Sequence, residues 1–335
     1  MKHKDLLIET ANNMVKKGKG ILAADESNPT CGKRFDSIGV ESSFENRNEY
    51  RDMLFSSENI EKYISGVIMF DETFRQSTTC DKKIKFPEYL KSKGIIPGIK
   101  VDKGAKDLAG FSNEKVTEGL DGLRERLIEY FDMGARFSKW RSVININDSL
   151  PSIGAIQANT HALARYAALC QENGIVPIVE PEVLMDGSHN INRCYEVTCQ
   201  TLDILFDQLS HANVMLEGIV LKPNMVISGL LCSDQASVDE VADLTVKCFK
   251  EYVPEAVSGI AFLSGGQSSD VATKHLNAMN LNYNNLPWNL TFSYGRALQY
   301  DALHAWSGKN RLDGQIELIK RAQNNSLATK GKYQK

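Results

Sequence analysis

"IGAIQANTHALARYAALCQENGIVPIVEPEVL" (residues 153–184) is a helical pattern that runs straight into a strand-like one. Asn173-Gly174 closes the helix, since glycine takes the left-handed conformation common at helix C-termini without steric cost. The apolar run "GIVPIVEPEVL" (174–184) then begins at once. Seven further runs share this character: "GILAAD" (20–25), "GVIMF" (66–70), "IIPGIKVD" (95–102), "ARFSKWRSVI" (135–144), "EGIVLKPNMV" (217–226), "GIAFLSGG" (259–266) and "LTFSYGRAL" (290–298). Helix-period stretches such as "EGLDGLRERLIEYFDMG" and "SVDEVADLTVKCFKEYV" lie between them. Each parallel return of a strand needs a crossover, so this alternation argues for parallel strands. Eight units favour a closed (β/α)8 TIM barrel over an open sheet. The connection 26–65, with "ESSFENRNEYRDMLF" in helical pattern, reads as an insertion after strand one. Residues 299–335 read as C-terminal helices with a short basic tail. No low-complexity segment or Pro/Ser linker divides the 335 residues, so the expectation is one α/β barrel domain over 1–335.

Composition narrows the function classes. A hydrophobic content of 42% and a charged content of 24% are ordinary for a globular chain with a full core. The net charge of −3 gives no overall attraction for nucleic acid or an anionic membrane, so an anionic ligand needs a local cluster of cations. No apolar run approaches a membrane span, and "MKHKDLLIET" lacks the apolar core of a signal peptide. The seven cysteines (Cys31, Cys80, Cys170, Cys194, Cys199, Cys232 and Cys248) are scattered and form no CxxC, which fits free thiols in a reducing cytoplasm. A cytoplasmic protein with neither nucleic-acid nor membrane partner is expected. The six histidines have no HxxxH spacing and none ends a strand-like run, so no metal site is expected. Neither GxxxxGK[ST] nor a GxGxxG after a strand occurs.

In a barrel of this kind the active site lies at the C-terminal ends of the strands. Polar residues collect there. Asp25 ends the first run, and Asp71 and Glu72 end the second. On the next four, Lys100/Asp102, Lys139/Arg141, Glu180/Glu182 and Lys222/Asn224 stand two apart, a spacing that puts both members of a pair on one strand face. One such pair could be a structural ion pair; four in succession at the same end point to chemistry. The last two runs end in Ser264-Gly265-Gly266 and Ser293-Tyr294-Gly295-Arg296, each leading into a helix start. Glycines let the backbone come close, the first N–H groups of a helix are unpaired, and Arg296 adds a cation. Barrel enzymes frequently bind phosphate after strands seven and eight.

Lys222 is the residue hardest to explain by structure alone. It stands in an apolar run before Pro223, which disfavours helical geometry and keeps it extended. Such a lysine either caps a strand end or is desolvated for a purpose. With Lys139 and Lys100 nearby, clustered ammonium groups would depress one another's pKa and leave a neutral amine able to attack a carbonyl. The Glu180/Glu182 pair would push one carboxyl pKa upward, which suits a general acid for making and breaking a Schiff base.

Longer motifs carry a family likeness. "GKGILAADES" (18–27), "GIKVDKG" (98–104), "KWR" (139–141), "NGIVPIVEPE" (173–182), "LEGIVLKPNMV" (216–226), "FLSGGQS" (262–268), "TFSYGRALQ" (291–299) and "NSLATKGKY" (325–333) occur in order over almost the whole chain. With them the chain resembles the class I, Schiff-base-forming fructose-1,6-bisphosphate aldolases. The resemblance implies that Lys222 condenses with C2 of the ketose and that Glu180 shuttles protons as the carbinolamine forms and dehydrates. Asp25 would take the C4-hydroxyl proton as the C3–C4 bond breaks. Lys139 would stabilise negative charge and orient Asp25, with Arg141 and Glu182 in the same polar shell. Ser264, Gly265, Gly295 and Arg296 match the C1-phosphate site, and Ser293 joins the substrate-binding residues. Ser27, Thr30, Arg34 and Lys100 lie where the family receives the second phosphate. The implied products are dihydroxyacetone phosphate and glyceraldehyde 3-phosphate, in glycolysis and gluconeogenesis. Neither cofactor nor metal is implied, since the protonated imine is the electron sink; a homotetramer is. Two departures stand out: Thr30 occupies a position where relatives often have serine, and many relatives continue past "GKY" into a tyrosine-ended tail that assists proton exchange at C3. For this sequence the resemblance therefore implies another group at that step, or slower exchange. The rival readings are a Schiff-base barrel for another phosphorylated ketose, a non-catalytic binding or scaffold role on the same barrel, and a metal-dependent aldolase.

Overall fold

The computed structural model describes residues 2–334. The alternation becomes a closed ring of parallel strands in chain order: β1 (Gly20–Ala24), β2 (Ile64–Met69), β3 (Ile96–Lys100), β4 (Phe137–Ile144), β5 (Val176–Val183), β6 (Val220–Leu221), β7 (Gly259–Phe262) and β8 (Asn289–Tyr294). β1 pairs with both β2 and β8, which closes the barrel.

Inward and outward side chains alternate along each strand. Ile21, Ala23, Ile68, Phe137, Val176, Ile178, Val220 and Ala261 form the apolar layer inside the barrel. Leu7, Ala11 and Met14 of the helix Lys4–Met14 pack onto that layer and seal the N-terminal end. The ring of Phe137 needs room that only glycine leaves: a Cβ on Gly98 would overlap it, and one on Gly66 would stand 2.9 Å from it. Outward residues such as Leu22, Met69, Val179 and Phe262 join the second core, between strands and helices. With the lower interior filled by hydrocarbon, the inward positions at the C-terminal ends are left for polar groups.

The connection 26–65 holds two helices, Asn28–Asp36 and Phe44–Phe55. The second begins where Ser43 Oγ accepts from Asn46 N at 3.1 Å, within the stretch read as helical. Ile153–Glu172 ends at Asn173, with Gly174 at φ 72°. Arg296–Trp306 and Arg311–Ala328 are the C-terminal helices.

Three details depart from the sequence reading. "EGLDGLRERLIEYFDMG" is helical only over Leu123–Asp132, because Gly119 and Gly122 take φ of 130° and 66°, outside the helical region. A small antiparallel hairpin, Ala105–Asp107 with Lys115–Thr117, follows β3; strands so short carry no readable periodicity. The run 217–226 forms a two-residue strand after the 3-10 turn Leu216–Gly218. Lys222 N still donates to Val179 O at 2.8 Å, but Pro223 has no N–H to continue the ladder. Asn224 takes over by side chain: Oδ1 accepts from Val183 N at 3.0 Å, and Nδ2 donates to Thr198 Oγ1 at 3.1 Å. Asn224 therefore packs toward the helix Ile191–His211 and does not share a site-facing surface with Lys222. Among the described residues no helix is long and apolar enough to cross a membrane, and all seven cysteines are unpaired thiols.

Candidate active site

A cavity of about 560 Å³ opens at the C-terminal ends of the strands. Asp25 directly follows β1, and the turn after it and the helix Asn28–Asp36 contribute Ser27, Thr30 and Arg34; β3 brings Lys100, β4 Lys139 and Arg141, and β5 Glu180 and Glu182. Lys222 enters at the end of β6, Ser264 and Gly265 after β7, and Ser293, Gly295 and Arg296 from β8 and the helix it feeds. Every residue singled out from the sequence as catalytic or substrate-binding thus lines one cavity. Parity explains it: Asp25 continues the inward series of Ile21 and Ala23, as Lys139 and Arg141 continue that of Phe137.

Four ionisable groups form a line in its floor. Asp25 Oδ2 lies 2.6 Å from Lys139 Nζ, and Lys139 Nζ lies 3.4 Å from Glu180 Oε2. Glu180 Oε1 in turn lies 3.1 Å from Lys222 Nζ. Relative exposures of 8% for Asp25, 5% for Lys139 and 3% for Glu180 and Lys222 put all four in a water-poor environment, where charges survive only in mutual compensation. Burial raises the Asp25 carboxyl, but Lys139 and Lys222 outweigh it and hold that carboxyl well below the usual range. Burial lowers the Lys139 ammonium, but Asp25 and Glu180 outweigh it and hold Lys139 well above the ordinary lysine value.

Two electrostatic expectations are corrected here. Lys139 is no destabilised neighbour of Lys222; its two carboxylates fix it as an ammonium. Nor does the Glu180/Glu182 pair raise Glu180. Burial pushes Glu180 up, yet Lys139, Lys222 and Arg141 outweigh that and hold it below its ordinary value. Glu182 is occupied by its own cation, the Arg141 guanidinium. The strand pairing shows why: Arg141 lies opposite Glu180 and Val143 opposite Glu182, so arginine and glutamates meet on neighbouring strands.

The rim is built by helix starts. Ser27 precedes the helix Asn28–Asp36, and its Oγ lies 3.0 Å from Thr30 Oγ1. Lys100 Nζ is held by Asp102 Oδ1 at 2.6 Å and by Asp102 O at 3.0 Å, so Asp102 aims Lys100 without itself lining this cavity. Gly265 and Gly266 take φ of 57° and 141°, and a Cβ on Gly266 would stand 2.7 Å from the Met185 sulfur. Ser268 Oγ then accepts from Val271 N at 3.3 Å to start the next helix. Gly295 sits at the start of Arg296–Trp306. Asp71 and Glu72, read as strand ends, lie on the short helix Asp71–Arg75 and are taken up by Tyr130 and Arg75, and by Arg47 and Asn28. They lie outside the cavity, held by these ion pairs and hydrogen bonds, with Asp71 partly exposed.

The model of the class-I fructose-bisphosphate aldolase family matches residues 6–335. The chain belongs to this family. It is 56% identical to "Probable fructose-bisphosphate aldolase class 1" of Xanthomonas axonopodis pv. citri over 330 residues, covering 98% of each sequence. Identity to fructose-bisphosphate aldolase C-B of Danio rerio is 52%, covering 98% of this chain and 90% of that one. The fold superposes on fructose-bisphosphate aldolase from Plasmodium falciparum, solved in complex with TRAP and a small-molecule inhibitor, with a TM-score of 0.97 and 46% identity over 100% of this chain and 96% of that one.

The sequence reading of this class I aldolase missed Glu26. Its carboxylate is buried between Arg34 and Arg51, 2.6 Å from Arg51 Nη2, and Gln299 Nε2 donates to it at 3.1 Å. Burial raises Glu26, but Arg51 and Arg34 hold it low. Its partner Arg51 lies in the run read only as a helix, so no local signal joined the two. An apolar rim of Leu184, Met185, Leu230 and Leu263 also went unread, because Leu184 and Leu263 read as strand residues of their apolar runs although they follow the strand ends, and Met185 and Leu230 lie in the loops beyond. Tyr333 donates to Asp270 Oδ1 at 2.9 Å on the outer helix Ser269–Asn282, and it does not line the cavity.

Proposed function

We propose that the chain carries out reversible aldol cleavage of fructose 1,6-bisphosphate to dihydroxyacetone phosphate and glyceraldehyde 3-phosphate through an imine on Lys222. The observation that supports this best is a single carboxylate, Glu180, with one oxygen 3.1 Å from Lys222 Nζ and the other 3.4 Å from Lys139 Nζ. Held ionised, Glu180 starts as a base. It accepts the proton that Lys222 must lose to attack C2, then returns it to the C2 hydroxyl so that water leaves and the imine forms. The ionised Asp25 takes the C4-hydroxyl proton, the C3–C4 bond breaks, and its electron pair moves into the protonated imine, which becomes an enamine. Lys139, fixed as a cation between Asp25 and Glu180, orients both and offsets charge as it shifts. Protonation at C3 and hydrolysis then release dihydroxyacetone phosphate and restore Lys222.

In this reading Ser264, Gly265, Gly295 and Arg296 receive the C1 phosphate, with Ser293 beside them. Ser27, Thr30, Arg34 and Lys100 receive the second, and Arg141 and Glu182 set the polar wall between. The family resemblance supports work as one domain, as a homotetramer in the cytoplasm, within glycolysis and gluconeogenesis, without metal or organic cofactor. Steady-state cleavage assays test the phosphate assignment. Arg34→Ala should raise KM for fructose 1,6-bisphosphate about tenfold, as loss of one charge-assisted contact implies, and leave KM for fructose 1-phosphate within about twofold. Equal effects on both substrates would remove Arg34 from the second phosphate site, and loss of activity in EDTA would reopen the metal-dependent reading.

A further inference from the structure

Behind the Lys222 strand lies a pair of thiols that the cleavage chemistry does not use. Cys199 on the helix Ile191–His211 and Cys248 on the helix Val238–Tyr252 bring their sulfurs to 3.0 Å. A disulfide needs about 2.05 Å, so closure asks for a shift of roughly 1 Å shared between two helices already packed together. The same helices hold the chain leaving Lys222. Thr198, next to Cys199, accepts from Asn224 Nδ2 at 3.1 Å, and Thr245, one turn before Cys248, accepts from Val226 N at 2.9 Å. We propose that Cys199 and Cys248 are a redox-responsive dithiol, which a peroxide converts to a disulfide that staples these helices and shifts the seat of Lys222.

Chemistry and exposure give the order of events. Cys199 is 5% exposed and Cys248 is fully enclosed, so the oxidant meets Cys199 first. The neighbouring Cys248 thiol holds Cys199 below its ordinary value against the effect of burial, while Cys248 is pushed up. The Cys199 thiolate attacks one peroxide oxygen; an S–O bond forms, the O–O bond breaks, and hydroxide leaves with the thiol proton as water. The Cys248 sulfur then displaces the oxygen from Cys199; the S–S bond forms, the S–O bond breaks, and a second water leaves. Two thiols lose two electrons in all, and one hydrogen peroxide is reduced to two waters. Dithiothreitol reverses the change.

The test treats the full-length enzyme with hydrogen peroxide, alkylates the remaining thiols, and maps peptides with fragmentation. The expected product joins Cys199 to Cys248 and disappears on reduction; both sulfurs alkylated after treatment would overturn the dithiol. In parallel, kcat for fructose 1,6-bisphosphate cleavage should fall on the order of tenfold on oxidation, as expected for a sub-ångström displacement at a catalytic lysine, and recover with dithiothreitol. Cys199→Ser, and Cys248→Ala if that variant folds poorly, should keep the untreated kcat and lose the peroxide response. A formed disulfide with unchanged kcat, or a variant as peroxide-sensitive as the wild type, would overturn the coupling to Lys222. The activity arm rests on the aldolase reading and the thiol mapping does not, so a reduced enzyme that cleaves no substrate would defeat that reading and leave the disulfide result standing.

Discussion

Asp25 and Lys139 form one buried ion pair that bears on stability and, in the proposed mechanism, on the chemistry. Asp25 is held below the ordinary aspartate value of 3.8, so its stabilising contribution is complete above that value and is lost as pH falls through the folded pKa. Lys139 is held above the ordinary 10.5, so its contribution is complete below that value and is lost as pH rises through the folded pKa. Below pH 3.8 the urea midpoint of the wild type should therefore drop more steeply than that of Asp25→Asn, which has no such titration; parallel acid limbs would contradict the pairing. The same variant should lower kcat for cleavage by about 10²–10⁴-fold while still forming an imine with dihydroxyacetone phosphate, because in the proposed mechanism Asp25 acts only once the C3–C4 bond breaks. Equal loss of both steps would place Asp25 earlier in the reaction. Identity and spacing were legible at this scale, since i, i+2 parity put Lys139 with Arg141 and Glu180 with Glu182. Charge balance was not: Glu180 meets cations from strands on either side, and which strands adjoin is a property of the closed ring.

The elements were readable where they follow a strong local rule and misread where a side chain replaces backbone. Helix starts at Ser43 and Ser268 and the stop at Asn173-Gly174 lie where local chemistry puts them. β6 is shorter than its apolar run because Pro223 cannot donate and Asn224 closes the gap from the side, a substitution no periodicity reveals. Asn224→Ala should leave the Val183 N–H unpaired in the core and cost about 1–3 kcal/mol, read as a lower urea midpoint. KM should stay within about twofold, since Asn224 does not line the cavity; a large rise in KM with unchanged stability would place it in the substrate site. Gly98→Val in β3 should destabilise by at least about 1–3 kcal/mol through overlap with Phe137, and a neutral result would mean that the barrel interior is looser than described.

The whole molecule is held at its base by both ends of the chain. The helix Lys4–Met14 seals the apolar layer, with Leu7 fully buried. Gly18 N donates to Thr329 Oγ1 at 3.0 Å and Ser326 Oγ donates to Gly18 O at 2.7 Å, tying the C-terminal helix to the loop before β1. Because this base is far along the strands from the polar rim, Leu7→Ala should cost about 2–5 kcal/mol of stability and leave KM unchanged. The measurement that most directly tests Lys222 as the nucleophile is borohydride trapping with dihydroxyacetone phosphate, followed by peptide mass mapping of wild type and Lys222→Arg. One triose-phosphate adduct on the peptide bearing Lys222, absent from the folded variant, is the expected result. An adduct on Lys139, or none in folded wild-type protein, would contradict an imine on Lys222.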